Sequence, residues 1–178
     1  MTSNANYFKS FFGHLHTINH HRYLVCKLCF KVGLYRQGLT HDLSKYSLTE
    51  FIPGVKYFQG YRSPIAAEIQ ELGYSAAWLH HKGRNRHHWQ YWITADKGQL
   101  KVVEMPVRYI KEMACDRIAA CMVYEKEKYH SSSAIEFLEK SREKELMPVQ
   151  TLNILKEMLT IVAENSLEEA LTIIKTKY

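Results

Sequence analysis

From Tyr7 onward the apolar residues Phe8, Phe11, Phe12, Leu15 and Ile18 recur at helical spacing, and the run continues through Tyr23, Leu24, Leu28 and Cys29. One long N-terminal helix accommodates this pattern, with Asn4 or Asn6 as its cap and Gly33 and Gly38 bracketing its end. The same period returns further on. Ser63-Pro64 supplies a cap with proline at the first helical position, and Ile65, Ile69, Leu72, Ala76 and Leu79 predict one buried stripe on a helix from Pro64 to about Lys82, weakened by Gly73. After Met105-Pro106, the residues Val107, Ile110, Met113, Ala114, Ile118 and Cys121 mark the buried side of another strong helix. Capping boxes are expected at Ser47–Glu50, Ser133–Glu136 and Ser166–Glu169, and a further helix from Val149 to about Ala163. Asp96-Lys97-Gly98-Gln99 reads as a turn, and no stretch alternates apolar and polar residues long enough to require a sheet. The expectation is an all-α fold in a single domain over residues 1–178, with 131–178 as supporting helices that also offer an oligomer surface.

A chain of 178 residues can bury a core without staples, and 46% hydrophobic with 24% charged residues excludes a disordered polymer. The formal net charge of +6 favours anionic partners, among them nucleotides, nucleic acid and simple phosphates, without fixing a reaction. Four cysteines do not make a disulfide framework here; Cys26 and Cys29 have redox-like spacing but lie in an apolar helical run, where packing explains them. The N-terminus lacks the basic-then-apolar pattern of a signal peptide, and the window from Tyr23 to Leu34 is short and interrupted by Lys27 and Lys31. A cytoplasmic location with no membrane partner is the expectation.

The stretch from Gly38 to Tyr46 concentrates chemistry. His41 and Asp42 offer nitrogen and oxygen ligands for a divalent cation, and Lys45 follows three residues later, where it could neutralise a phosphate brought to that cation. A His-Asp dipeptide alone would read as a helix cap, but histidines recur at 14, 16, 20 and 21 and again at 80, 81, 87 and 88. From His80 to His88, seven of nine residues are His, Lys or Arg, flanked by Trp78, Trp89, Tyr91 and Trp92. Such a run could position a phosphate ester and stack a flat base, whereas mere solubility would not need four histidines. Asp116 sits among apolar neighbours on its helix and requires compensation by an arginine or a metal ion.

The order His21, His41-Asp42, His80-His81, Asp116 resembles the signature of the HD-domain superfamily of metal-dependent phosphohydrolases. His41-Asp42-Leu43-Ser44-Lys45 is similar to its His-Asp-x-x-Lys element, and Cys115-Asp116-Arg117-Ile118 to its closing Ala-Asp-x-Leu. The run from Ala77 to Trp92 also resembles a largely uncharacterised HD-like family of bacteria and phages. The resemblance implies a helical bundle around a central metal site in which His21, His41, Asp42 and Asp116 hold one divalent ion, with His20 as the substitute for His21. His80 and His81, with His88 as a further candidate, would hold a second ion. Manganese, iron, nickel and zinc suit this donor mix, as one or two ions. Asp42 and Lys45 are the expected catalytic residues, with Lys45, Arg84, His87 and His88 on a small phosphorylated substrate. Two further readings stand beside the hydrolase. One is an HD-fold di-iron oxygenase. The other is a metal-stabilised nucleic-acid-binding module using Lys82, Arg84, Arg86 and the flanking tryptophans. No Walker loop, Rossmann fingerprint or Gly-x-Ser-x-Gly elbow is present.

Overall fold

A computed structural model describes residues 4–178. Its first helix, α1 (Asn4–Lys31), buries His14, Ile18, His21, Val25, Leu28, Cys29 and, just past its end, Val32. Steps of three and four place these residues on one stripe, and two of them are histidines. The aromatic run expected to lead that stripe does not: Tyr7, Phe8 and Phe12 are exposed, and only the half-buried Phe11 of that group turns in, edge-on to Phe51 at 5.2 Å between ring centroids. The buried face is set by what α1 packs on, and there its positions are taken by His14 and His21. Asn4 is already helical and Asn6 lies within the helix.

The chain reverses at Gly33, where φ is +82°, and enters α2 (Tyr35–Thr40). Gly38 does not bracket the end of α1; it lies within α2, where a Cβ would come 3.0 Å from Cys29 Cβ and 3.2 Å from the Cys26 carbonyl oxygen. A hydrogen at that position lets α2 lie this close along α1 without Cys29, Phe30 or the Cys26 carbonyl having to shift. A 3-10 turn (Leu43–Tyr46) then leads into α3 (Leu48–Lys56).

The single helix expected from Pro64 to Lys82 is two: α4 (Pro64–Leu72) and α5 (Ala76–Lys82). Gly73, at φ +78°, ends the first, and the Ser75 side chain accepts from the Trp78 N–H to cap the second. The expected stripe is largely outside: Ile69, Leu72 and Leu79 are exposed, while Ala67, Glu68, Ala77 and His81 are buried. Here the buried face is partly polar, so apolar period pointed the wrong way.

The turn at Lys97-Gly98 joins a small antiparallel hairpin of β1 (Ile93–Asp96) and β2 (Gln99–Val102), with Ile93 opposite Val102. Positive φ at both central residues matches the two-residue turns that suit strand twist. Four-residue strands with mostly exposed side chains are too short for alternation to register in the sequence.

α6 (Val107–Glu125) packs against α1 on one side and α8 (Val149–Glu164) on another, with α7 (Ser133–Lys140) beside both α6 and α8. α9 (Leu167–Lys177) closes the far side on α8 and α1. Val25, Cys29, Ile110, Met113, Ile118, Leu155, Met158, Leu159 and Ile174 form the centre of one continuous apolar core. The architecture is all-α apart from the hairpin, in one domain, and among the described residues the four cysteines are free. No described helix is long and apolar enough to cross a membrane. Of the three capping boxes, Ser166–Glu169 forms. Ser133 instead donates to Glu125, one position inside its helix; Ser47 caps α3 without a side-chain bond, and the Glu50 carboxylate meets His80 and His81 rather than the Ser47 N–H.

Candidate metal centre

α1 delivers His21, and α2 ends by delivering His41 and Asp42. Along a continuous helix adjacent side chains diverge by about 100°. The chain avoids this by leaving the helix: His41 is the C-cap and Asp42 adopts a left-handed conformation at φ +53°. The His-Asp-x-x-Lys element is therefore a helix end followed by a 3-10 turn, rather than one helical turn. Both ligand-type side chains point inward, and Lys45 Nζ returns to Asp42 Oδ2 at 2.9 Å. Arg22 holds this corner, its Nε donating to the His41 carbonyl at 2.8 Å and its Nη2 to that of Leu39 at 3.1 Å. Asp116 and Glu112, four apart on α6, face the same interior. α5 supplies His81, and the loop beyond it His87 and His88. Asn85 folds that loop back by donating to the His81 carbonyl and to Ser44 Oγ, both at 2.8 Å.

Three groups of candidate ligands result, each with its ligand atoms within 4.8 Å of one another; one of them, His41, His87 and Glu112, gathers behind two of the imidazoles, and the other two face the centre. Of those two, the first is His21, His41, Asp42 and Asp116; the second is Asp42, His81, His87 and His88. Asp42 belongs to both. Its Oδ2 faces His41 Nε2 at 3.4 Å and His21 Nε2 at 3.9 Å, and its Oδ1 faces His81 Nε2 at 3.3 Å and His87 Nε2 at 3.5 Å. Asp116 Oδ1 lies 2.9 Å from His21 Nε2 and 3.4 Å from His41 Nε2.

Behind the imidazoles stand carboxylates. Glu112 Oε1 meets His41 Nδ1 at 3.0 Å and His87 Nδ1 at 3.2 Å, and Glu50 Oε2 meets His81 Nδ1 at 2.7 Å. Each contact ties down one ring nitrogen and turns Nε2 towards the centre, the arrangement that orients metal-ligating histidines. At that centre His41 Nε2, Asp42 Oδ1, His87 Nε2 and His88 Nε2 are buried without a hydrogen-bond partner. Unpaired buried polar atoms are costly, and four converging on one volume fit a cation.

The charges agree. Burial opposes ionisation of Asp42 and Asp116, yet the surrounding histidines, with Lys45 at Asp42, outweigh it and hold both carboxyls well below the usual range. Burial likewise opposes the imidazolium of His41, but Asp42, Asp116 and Glu112 reverse this and raise it to about 10, so the site draws in positive charge. Burial and the neighbouring His87 and His81 push His88 far below 6.5, leaving its lone pair available. Lys45 keeps its proton because Asp42 and Asp116 more than offset its burial.

The cluster floors a cavity of about 230 Å³ whose walls include Ile18, Phe58, Ile65 and Trp78, with Lys45, Arg62 and Glu68 as charged lining groups. His21 is buried while His20 is exposed and stacked on His16. Three expected assignments change. His80 is in none of the groups of candidate ligands; its Nδ1 is 2.6 Å from Glu50 Oε1. His87, expected on the substrate, is in the second group instead, and His88, expected either on the substrate or on a second ion, joins it there. Arg84 is exposed and lines a different cleft. Glu50, Glu112 and Arg22 were given no role at the centre from the sequence. Glu50 carries the same pattern as a capping box, and the one signal for Glu112 was its spacing of four from Asp116.

Fold and site together define an all-α protein with a buried histidine–carboxylate centre at the base of a pocket. Residues 10–161 match DUF5662, a family of unknown function, and the chain belongs to that family. No curated protein and no solved structure matches it.

Proposed function

We propose that this chain is a metal-dependent hydrolase of a phosphate ester, acting on a nucleotide or another small phosphorylated metabolite, with the helical architecture of the HD-domain superfamily. The observation that carries this reading is Asp42, whose two oxygens each face a separate set of histidines. His21, His41, Asp42 and Asp116 would hold one divalent ion, and His81, His87, His88 and the other oxygen of Asp42 a second. Ions of this kind supply a water of lowered pKa and a Lewis acid for a phosphoryl oxygen.

The chain's own groups do the rest. Glu112 and Glu50 orient His41, His87 and His81, so the donor set is preorganised. Asp42, kept ionised by its neighbours, supplies one oxygen to each donor set. Lys45, still charged at the edge of the cavity, neutralises phosphate oxygens as charge develops on them. Ile18, Phe58, Ile65 and Trp78 exclude bulk water, which strengthens each of these interactions. The cavity size favours a small ester over a polymer.

Phosphate release from a panel of phosphomonoesters and nucleotides, by protein loaded in turn with manganese, iron, nickel and zinc, tests the proposal. Metal-dependent release abolished in Asp42→Ala supports it. The shared carboxylate and apolar walls also suit an HD-fold di-iron oxygenase. Oxygen consumption by the iron-loaded protein with no phosphate release from any compound would replace the hydrolase by that enzyme.

A further inference from the structure

A second concavity, about 450 Å³, shares no lining residue with the pocket over the cluster. It lies on the far side of His87 and Glu112: the Nε2 of His87 faces Asp42, and its Nδ1 faces Glu112 in the cleft. Four arginines line it, Arg36 from α2, Arg84 and Arg86 from the loop after α5, and Arg108 from the start of α6, and all four are exposed.

None of these arginines has a carboxylate partner among the described residues, whereas Arg117 pairs with Glu143 at 2.7 Å. Arg86 donates to the Tyr109 hydroxyl at 3.1 Å and lies over the Tyr91 ring, and Arg108 lies over the Tyr109 ring at 4.9 Å. Aromatic contacts hold the two guanidiniums in place while leaving most of their N–H donors free. The one carboxylate in the cleft, Glu112, is already engaged by His41 and His87. Four guanidiniums without a carboxylate partner therefore gather positive charge around one concavity, and a guanidinium fork matches phosphate oxygens in pairs.

The geometry points to this cleft as a binding site for a small polyphosphate, a di- or triphosphate group free or on a nucleoside, separate from the pocket above the cluster. Several charges within a few ångströms answer four converging arginines better than one orthophosphate does. The volume suits a small molecule. A nucleic-acid surface would instead run as a track with stacking aromatics spaced along it. This site does not depend on the hydrolase reading.

The test uses metal-depleted full-length protein, so that tripolyphosphate cannot act by chelation, and titrates tripolyphosphate, orthophosphate and a single-stranded oligonucleotide by calorimetry. Tripolyphosphate should bind more tightly than orthophosphate. Arg84→Ala and Arg108→Ala, both at exposed positions, should each weaken it by roughly tenfold, Arg84→Lys by less, and Lys45→Ala not at all. Absence of tripolyphosphate binding overturns the site. Binding that is lost in Lys45→Ala but kept in both arginine variants would place the anion in the other pocket and equally overturn it. An oligonucleotide binding more tightly than tripolyphosphate, through the same arginines, would make the cleft a nucleic-acid contact and end the small-ligand proposal.

Discussion

The Glu112 carboxylate lies 3.0 Å from the Nδ1 of His41, directly behind the nitrogen that faces the cluster. The same oxygen is 3.2 Å from His87 Nδ1, so one buried acid orients an imidazole in each half of the centre. Glu112→Gln keeps the shape but accepts more weakly and no longer supports both rings as donors. Metal affinity should fall about 10- to 100-fold for each ion, the usual cost of losing an orienting partner. Competition with a chromogenic chelator measures it, and unchanged affinity in Glu112→Gln would show that the acid serves packing alone.

Asp42 and Asp116 differ in what each should cost. Asp42 faces both histidine sets, whereas Asp116 Oδ1 serves the first set, its Oδ2 standing 3.9 Å from His87 Nε2. Asp42→Ala is expected to lose all bound metal, and Asp116→Ala to lose the ion of the first set and retain that of the second. Elemental analysis of protein purified without chelator reads the stoichiometry. Equal metal content in wild type and both variants would rule out the ligand assignment.

The centre was half legible in the chain. His41, Asp42 and Lys45 stood out because three chemically distinct groups within five residues have no use on a plain helix face. Asp116 stood out because a carboxylate interrupted an apolar stripe. Glu50 and Glu112 did not, because a carboxylate that supports a histidine has no local pattern of its own; its partners lie 31 and 71 residues away. The helices of the core, α6, α8 and α9, follow their apolar period closely. α1, α4 and α5 depart from theirs where the buried neighbour is the polar centre: His14, His21, Glu68 and His81 occupy inward positions, and Tyr7, Phe8, Ile69 and Leu79 point outward. A hydrophobic period locates a core and is blind to a buried polar site.

His14 should tie stability to pH. Burial, with Lys45 adding to it, lowers its imidazole from 6.5 to about 4. Above pH 6.5 both folded and unfolded chains leave it neutral and it contributes nothing. Between pH 6.5 and 4 the unfolded chain takes up a proton that the folded one refuses, so stability falls as pH falls, by up to about 3 kcal/mol from this group. Urea unfolding of metal-free wild type and His14→Gln at a series of pH values isolates it. The wild type should lose ground to the variant on going from pH 7 to pH 4; a constant difference would show that His14 titrates normally.

Lys45 is the residue that separates binding the metals from using them. Its Nζ is 2.9 Å from Asp42 Oδ2, and its side chain keeps 29% exposure at the edge of the cavity, so it can reach a ligand without entering the donor sets. Removing it leaves Asp42 still flanked by His41, His81 and His87, and bound cations would restore the lost positive charge. Lys45→Ala should therefore retain metal content and thermal stability within about 1 kcal/mol, the range for a partly exposed ion pair. Turnover of a phosphate ester should fall by about 10²- to 10³-fold, as when a preorganised electrostatic contact to the transition state is lost. Lys45→Arg should recover part of that loss, since charge is kept while the ammonium's point geometry is not. If the alanine variant turns over substrate at the wild-type rate, the charge at position 45 does not act on the phosphate. If it instead loses its metal, Lys45 acts by holding Asp42 in place.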